Sequence, residues 1–252
     1  MRILIYLFTG SLLSHSVFAQ KKLQTQVLVI GGTTGGIAAG IQSARMKVNT
    51  LVIEQTPWLG GMLTAAGVSC TDGNDELWSG LWMEFREELY KHYRTRNLFS
   101  GWVSETCFEP QVGDSIFKLL ASREENLTVK HGWYFDKVIR EGDRVGGAIF
   151  RSREGKTLTV SAVITIDATD LGDGYADAGE EFDIGMEDPS YSGEAMAPGK
   201  NTIIQDLTWA VILEDFGKEA DRTIPRPGDY DPSLFFCCNT NAPCHGKPWN
   251  GD

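Results

Sequence analysis

Cysteine is scarce here: five residues (Cys70, Cys107, Cys237, Cys238 and Cys244) in a chain of 252. That is too few for a disulfide scaffold at this length, so the fold must rest on a buried core. The odd number leaves at least one thiol free, or paired between chains, if the protein is exported. Cys237-Cys238 with Cys244-His245 follows no standard zinc spacing and lacks a fourth ligand from a partner pair, so loop thiols or a disulfide are expected and no metal. Basic residues are also in short supply, with 23 Lys and Arg against 34 Asp and Glu and a net charge of −11. That balance argues against nucleic acid or an anionic membrane surface as a partner. Beyond residue 19 no apolar run approaches the roughly 20 residues of a membrane-spanning helix. What remains, 42% hydrophobic and 23% charged residues, is the composition of an ordinary globular protein.

The first nineteen residues read as a cleaved leader rather than as part of the fold, with an uncleaved N-terminal anchor as the alternative that the polar Ser14-His15-Ser16 disfavours. Arg2 supplies a short positive start, Ile3 to Leu13 an apolar stretch too short to span a bilayer, and Val17-Phe18-Ala19 before Gln20 a small-residue cleavage site. No cysteine follows that site to carry a lipid. The mature chain is therefore expected outside the cytoplasm, periplasmic or extracellular, with no membrane attachment after cleavage.

The densest information lies at residues 26–54. An apolar run, Val27-Leu28-Val29-Ile30, breaks into Gly31-Gly32-Thr33-Thr34-Gly35-Gly36. A helical pattern follows with Ile37, Ala38, Ile41, Ala44 and Val48 on one face, then a second strand from Thr50 to Ile53 that closes on Glu54. Strand, glycine turn, helix, strand and acid in that order form the βαβ unit that holds the ADP half of a dinucleotide. The turn admits the pyrophosphate to the backbone, and the helix N-terminus offers it N–H groups and a positive dipole end. Glu54 falls about 20 residues past the turn, where an acid can accept from a ribose hydroxyl. In strict register the turn reads Gly31-x-Thr33-x-x-Gly36, with threonine in place of the middle glycine. A Cβ there crowds the pyrophosphate unless the backbone shifts or the hydroxyl takes part.

Downstream, Pro57 to Thr64 carries the pair Gly60-Gly61. A helix is predicted from about Glu76 to Tyr93, its Trp78, Leu81, Trp82, Phe85, Leu89 and Tyr93 serving as core. A second helix after Phe108-Glu109-Pro110 carries a stripe of Val112, Ile116, Leu119 and Leu120, with Glu109 as a helix-start carboxylate. From Leu127 the pattern changes to short strands with turns at 141–143 and 154–156, read as an antiparallel meander over 127–160. Val163 to Ile166 then reads as a buried strand running into Asp167-Ala168-Thr169-Asp170-Leu171-Gly172-Asp173. Such a strand delivers N–H groups and a carboxylate to the C-terminal edge of the sheet, where ligands of open α/β sheets bind. Beyond Asp183 loop chemistry dominates, interrupted by one strand-like stretch, Leu207 to Leu213.

Four motifs in order are similar to those of exported bacterial FAD-dependent oxidoreductases of the glutathione-reductase-like class. They are Val-Ile-Gly-Gly-Thr-Thr-Gly-Gly-Ile-Ala-Ala from Val29, Trp-Leu-Gly-Gly-Met-Leu-Thr from Trp58 onward to Asn74, Cys-Phe-Glu-Pro from Cys107, and Ile-Asp-Ala-Thr-Asp-Leu-Gly-Asp from Ile166. The resemblance runs from about Gln24 to the C-terminus and implies FAD as cofactor. It places Gly31, Thr33 and Gly36 against the pyrophosphate and Glu54 on the adenosine ribose. Gly60 and Gly61 would let their loop lie on the cofactor, Phe135 would offer its backbone to adenine, and Asp173 would approach the ribityl–pyrophosphate region. Flavin chemistry belongs to the cofactor, and the protein supplies orientation, electrostatics and exclusion of water.

The expected fold is therefore α/β: a Rossmann-like FAD-binding domain over 20–182 with an inserted meander, its closing strand and Asp-Ala-Thr motif at 163–173, then the start of an incomplete substrate domain over 183–252. Relatives run on for a few hundred residues, so a fragment or a truncated gene is expected. An apolar face or sheet edge left open by truncation would favour aggregation or a homo-oligomer. The implied activity is hydride transfer between flavin and a small organic substrate. The alternative is a truncated remnant that binds FAD weakly or not at all and turns nothing over. Free NAD is not expected outside the cytoplasm, and the Gly60-Gly61 loop and late Asp173 disfavour an NAD-dependent dehydrogenase. Some relatives carry the label xanthan lyase, but no Tyr/His/Arg constellation supports lyase chemistry. No catalytic residue stands out. Cys70, after the glycine-pair loop, is the candidate to test, while His92 reads as solvated and His131 as structural.

Overall fold

The computed structural model of the chain describes residues 21–72, 76–99, 104–196, 199–204, 210 and 216–231. The expected leader at 1–19, Cys237, Cys238, Cys244 and most of Leu207–Leu213 lie outside the described residues. The chain divides into two units, one ending at Glu181 and one beginning at Phe182.

The first unit is built on a six-stranded sheet of order β5-β2-β1-β8-β7-β6. Its strands are β1 (Lys21–Ile30), β2 (Thr50–Glu54), β5 (Leu127–His131), β6 (Trp133–Glu141), β7 (Arg144–Ser152) and β8 (Thr157–Asp167). A two-residue pair, β3 (Cys70–Thr71) and β4 (Thr106–Cys107), stands apart from it. β1 pairs in parallel with both β2 and β8, and β2 with β5, so four strands end at the same edge. β6, β7 and β8 form the antiparallel part.

Side-chain alternation sorts the two faces of this sheet. Leu28, Ile30, Leu51 and Ile53 face Ala148, Phe150, Leu158 and Val160 of the antiparallel strands, which curl back to cover them. Val27, Val29 and Val52 point the other way. On the helical side, α1 (Thr34–Arg45), α2 (Gly80–Tyr93) and α3 (Pro110–Ser122) share one core. Ile37, Ile41, Phe85, Leu89, Ile116, Phe117 and Leu120 meet there, with Phe85 stacked on Phe117 at 4.6 Å between ring centroids. Gly40 lets α1 lie close on the sheet, since a Cβ there would come 2.6 Å from Val52 Cγ2. Arg45 ties the helices together, its guanidinium donating twice to Glu84 at 2.7 Å and once to Glu124 at 2.8 Å.

The structure corrects several expectations. β5 is not part of the meander but a parallel strand of the main sheet, with Glu54 opposite His131. Gly132, at φ +78°, turns the chain out of β5, and the meander begins at Trp133. α2 starts at Gly80, so Trp78 lies outside it and is 60% exposed, its ring against the Arg86 guanidinium at 4.8 Å. In α3 the buried position is Phe117 rather than Leu119. Val163 and Ile164 are 63% and 56% exposed rather than buried, because pairing between β7 and β8 ends at Gly147–Ser161 and the strand continues with one neighbour among the described residues.

The unit from Phe182 contains the short helix α5 (Pro189–Ser192), capped by Asp188, whose carboxylate accepts from the Ser190 N–H at 2.9 Å. Lys200 pairs with Asp183 at 2.6 Å. Among the described residues no helix is long and apolar enough to cross a membrane.

Candidate cofactor site

The site forms where β1, β2 and β8 end together. β1 runs into Gly31, held at φ +99°, and the Gly31 N–H donates to Ile53 O at 2.8 Å. A Cβ on Gly31 would sit 2.5 Å from Ala168 O, and one on Gly36 would sit 2.0 Å from Gly31 O. These two glycines are required by the protein's own backbone. Gly35 differs, since a Cβ there would meet nothing within 4 Å. Space is open at the first turn of α1, which carries no acidic residue. Its N–H groups have no intrahelical acceptors, so the positive end of the helix is available to an anion.

Thr33 occupies the N-cap of α1. Its hydroxyl accepts from Gly36 N at 3.2 Å and donates to Ala168 O at 2.8 Å. The substitution that breaks the usual glycine pattern is thus occupied in closing the turn onto the loop after β8. Gly60 and Gly61, at φ +109° and +52°, lay their loop against the same turn. Gly60 N donates to Gly32 O at 2.8 Å, and Thr34 Oγ1 donates to Gly60 O at 2.7 Å. The stem of that loop is held from α3, where Asp114 accepts from Leu59 N at 2.8 Å and Lys118 donates to Pro57 O at 2.7 Å.

Glu54 is 7% exposed, and its two carboxylate oxygens accept from Gly32 N and Thr56 N, both at 2.7 Å. Each oxygen keeps a further lone pair for a ribose hydroxyl. Glu54 lines a cleft of about 170 Å³ together with Gly31, Trp133, Phe135, Phe150, Asp170 and Asp173. Phe135 makes an edge contact with Phe150 and stands on β6, which among the described residues is the last strand of the sheet. Asp173 opens the short helix α4 (Asp173–Asp177) on the far wall.

Asp167 and Asp170 were not singled out from the sequence. Asp167 braces the loop, its carboxylate accepting from Thr169 N at 2.9 Å and Tyr175 N at 2.7 Å. An Asp two residues before a turn Thr is the local signal for that role. Partial burial, with Glu54 and Asp173 nearby, raises the Asp170 carboxyl above its ordinary range. The acidic side of the cleft suits hydroxyl donors, whereas the helix end suits an anion.

The structure therefore brings Gly31, Thr33, Gly36, Glu54, Gly60, Gly61, Phe135 and Asp173 around one turn and one cleft. Cys70 is not among the residues lining that cleft. It lies on β3 opposite Cys107, and burial with the neighbouring Cys107 thiol pushes its pKa up to about 11. A thiol held protonated at neutral pH is a poor nucleophile. His131 Nδ1 is 2.8 Å from Thr56 O, and His92 sits on the exposed side of α2 against Tyr93. Glu109 precedes α3 and is bonded through both its carboxylate and its N–H to the Tyr93 hydroxyl.

The residues fit a dinucleotide: a glycine turn with open space over a helix N-terminus, and a pinned carboxylate beside an aromatic-lined cleft. The sequence profile of the family described as FAD dependent oxidoreductase matches residues 26–238. No curated protein matches the chain. Among solved structures, the myxobacterial chondrochloren halogenase CndH is 17% identical over 58% of this chain and 37% of its own, at a TM-score of 0.44. THI4 of Thermovibrio ammonificans is 16% identical over 61% of each chain, at 0.42. A geranylgeranyl bacteriochlorophyll reductase-like protein of Thermoplasma acidophilum is 19% identical over 64% of this chain and 43% of its own, at 0.44. The chain thus spans 37% to 61% of the length of these structures. With a mixed α/β, Rossmann-like fold, a turn and cleft that fit FAD, and a profile match over most of its length, the chain belongs to the FAD-dependent oxidoreductase family.

Proposed function

We propose that this chain is the FAD-holding part of an exported oxidoreductase acting on a small organic molecule. The observation that carries the reading is the convergence of the Gly31–Gly36 turn, Glu54 and Asp173 at one edge of a parallel sheet. In this reading α1 and the turn bind the pyrophosphate and Glu54 accepts from the adenosine ribose. The β6 backbone at Phe135 meets adenine, Asp173 meets the ribityl end, and the Gly60-Gly61 loop closes over the middle of the cofactor. When bound, FAD supplies hydride acceptance and donation. Residues 1–19 direct export in this reading.

The test is a visible absorption spectrum of residues 20–252 after incubation with excess FAD and desalting. Flavin bands at stoichiometric level are the expected result. A folded but colourless protein would overturn the assignment of cofactor binding to this length of chain.

A further inference from the structure

Cys70 and Cys107 are direct cross-strand partners in the β3–β4 pair, and both thiols are free. The bond from Phe108 N to Ser69 O, at 3.0 Å, flanks them, so they form a non-hydrogen-bonded pair of the ladder. Residues so placed have Cα atoms about 4.5 Å apart with side chains on one face, within the roughly 4.4–6.8 Å that a disulfide spans. The Cys107 thiol lies close enough to Cys70 to help raise its pKa, and its own Sγ–H donates to Ser104 O at 3.3 Å. Cys107 is buried and Cys70 half-buried, so an oxidant reaches the pair through Cys70.

From this geometry we propose that Cys70 and Cys107 are the site of a cross-strand disulfide, formed by exchange with a small disulfide, that braces the loop following Gly60-Gly61 against the start of α3. In the first step the small thiolate fraction of Cys70 attacks a sulfur of the small disulfide and expels one thiolate, so the link forms slowly at neutral pH and faster as pH rises. In the second the Cys107 thiolate attacks Cys70 Sγ and expels the other. Two electrons leave the cysteines and reduce the small disulfide to two thiols, and the two cysteine protons go to those thiols.

The position gives the bond a mechanical consequence. Upstream of β3 the chain is tied back on itself by Val68 N to Met62 O at 3.1 Å and Gly67 N to Thr64 O at 3.0 Å. Downstream of β4, Phe108 enters the core beneath α3, and Glu109-Pro110 starts that helix. A link between Cys70 and Cys107 closes the excursion that contains α2 and removes freedom from the unfolded chain. The high Cys70 pKa acts in the same direction, because a basic thiolate leaves slowly and the disulfide resists reduction. None of this depends on FAD or on export.

The experiment holds the full chain in oxidised or reduced glutathione, denatures it, alkylates free thiols and maps the digested peptides by mass. The expected result in oxidised glutathione is one peptide pair joined through Cys70 and Cys107 and a melting temperature about 5–10 °C above that of the reduced protein. Full alkylation of both residues in oxidised glutathione, or linkage of either to Cys237, Cys238 or Cys244, would overturn the site. An unchanged melting temperature in the linked protein would overturn the bracing role. Cys70→Ser abolishes the link and leaves Cys107 alkylatable; the wild-type peptide map decides the matter even if that variant fails to fold.

Discussion

Thr33 and Ala168 are 135 residues apart in sequence, yet the Thr33 hydroxyl donates to the Ala168 carbonyl at 2.8 Å while capping α1. One side chain thus joins the turn after β1 to the loop after β8. Thr33→Val keeps the shape and removes both bonds. It is expected to cost about 1–2 kcal/mol in chemical denaturation, the usual range for a lost cap with an orphaned partner. Thr33→Ser retains both bonds and is expected within about 0.5 kcal/mol of the parent.

Gly35 and Gly36 are neighbours with opposite expectations. Gly36→Ala drives a Cβ to 2.0 Å from Gly31 O and is expected to cost about 2–4 kcal/mol, with FAD lost alongside. Gly35→Ala meets open space, so stability stays within about 1 kcal/mol of the parent. In the proposed binding mode the added methyl lies on the first turn of α1, at the end of the helix that holds the pyrophosphate. FAD retention is therefore expected to fall about tenfold or more in a folded protein, about 1.4 kcal/mol of binding. Unchanged FAD titration of Gly35→Ala would place the pyrophosphate elsewhere.

Glu54→Gln leaves one acceptor oxygen where two N–H groups, from Gly32 and Thr56, need one each. The expected loss is about 1–3 kcal/mol of stability, because a buried donor then faces an amide NH₂. FAD titration is expected to weaken about tenfold with it, through the ribose bond.

The Asp170 carboxyl is raised by partial burial and by the charges of Glu54 and Asp173. The folded state then holds a proton that the unfolded state releases, so stability declines as pH rises from the ordinary carboxylate value through the raised one. Asp170→Asn removes that term. The melting-temperature difference between variant and parent is expected to grow in the variant's favour from pH 4 to 7, leaving the variant the more stable form at neutral pH. The side chain reaches solvent, so the difference is small. An identical profile for the two proteins would show that Asp170 carries no such penalty.

The βαβ unit was legible because every signal in it is local. An apolar strand, a glycine turn, a helical stripe and an acid about 20 residues on are contiguous, and backbone sterics at Gly31 and Gly36 leave few alternatives. The roles of the glycine pair at 60–61 and of the acid at 173 came from the resemblance of their motifs to the family rather than from local chemistry. β5 was misread because a five-residue strand, Leu127–His131, carries no mark of its partner. Its pairing with β2 depends on the chain returning across α3. Trp78 matched the helical spacing but fell before the Gly80 start of α2, and Val163 and Ile164 matched a buried strand but lost their neighbour when β7 turned away.

By itself the sequence determined the kind of site: a turn that admits a phosphate, a helix end that attracts it, and a carboxylate spaced to meet a sugar. Those features depend on φ angles, dipoles and hydrogen-bond chemistry within one stretch of chain. Only the tertiary structure decided that Thr33 closes the turn onto Ala168, that Phe135, Asp170 and Asp173 wall one cleft with Glu54, and that Cys70 faces Cys107 rather than that cleft. Each of those relations joins residues far apart in sequence, and sheet order and register, not local propensity, bring them together.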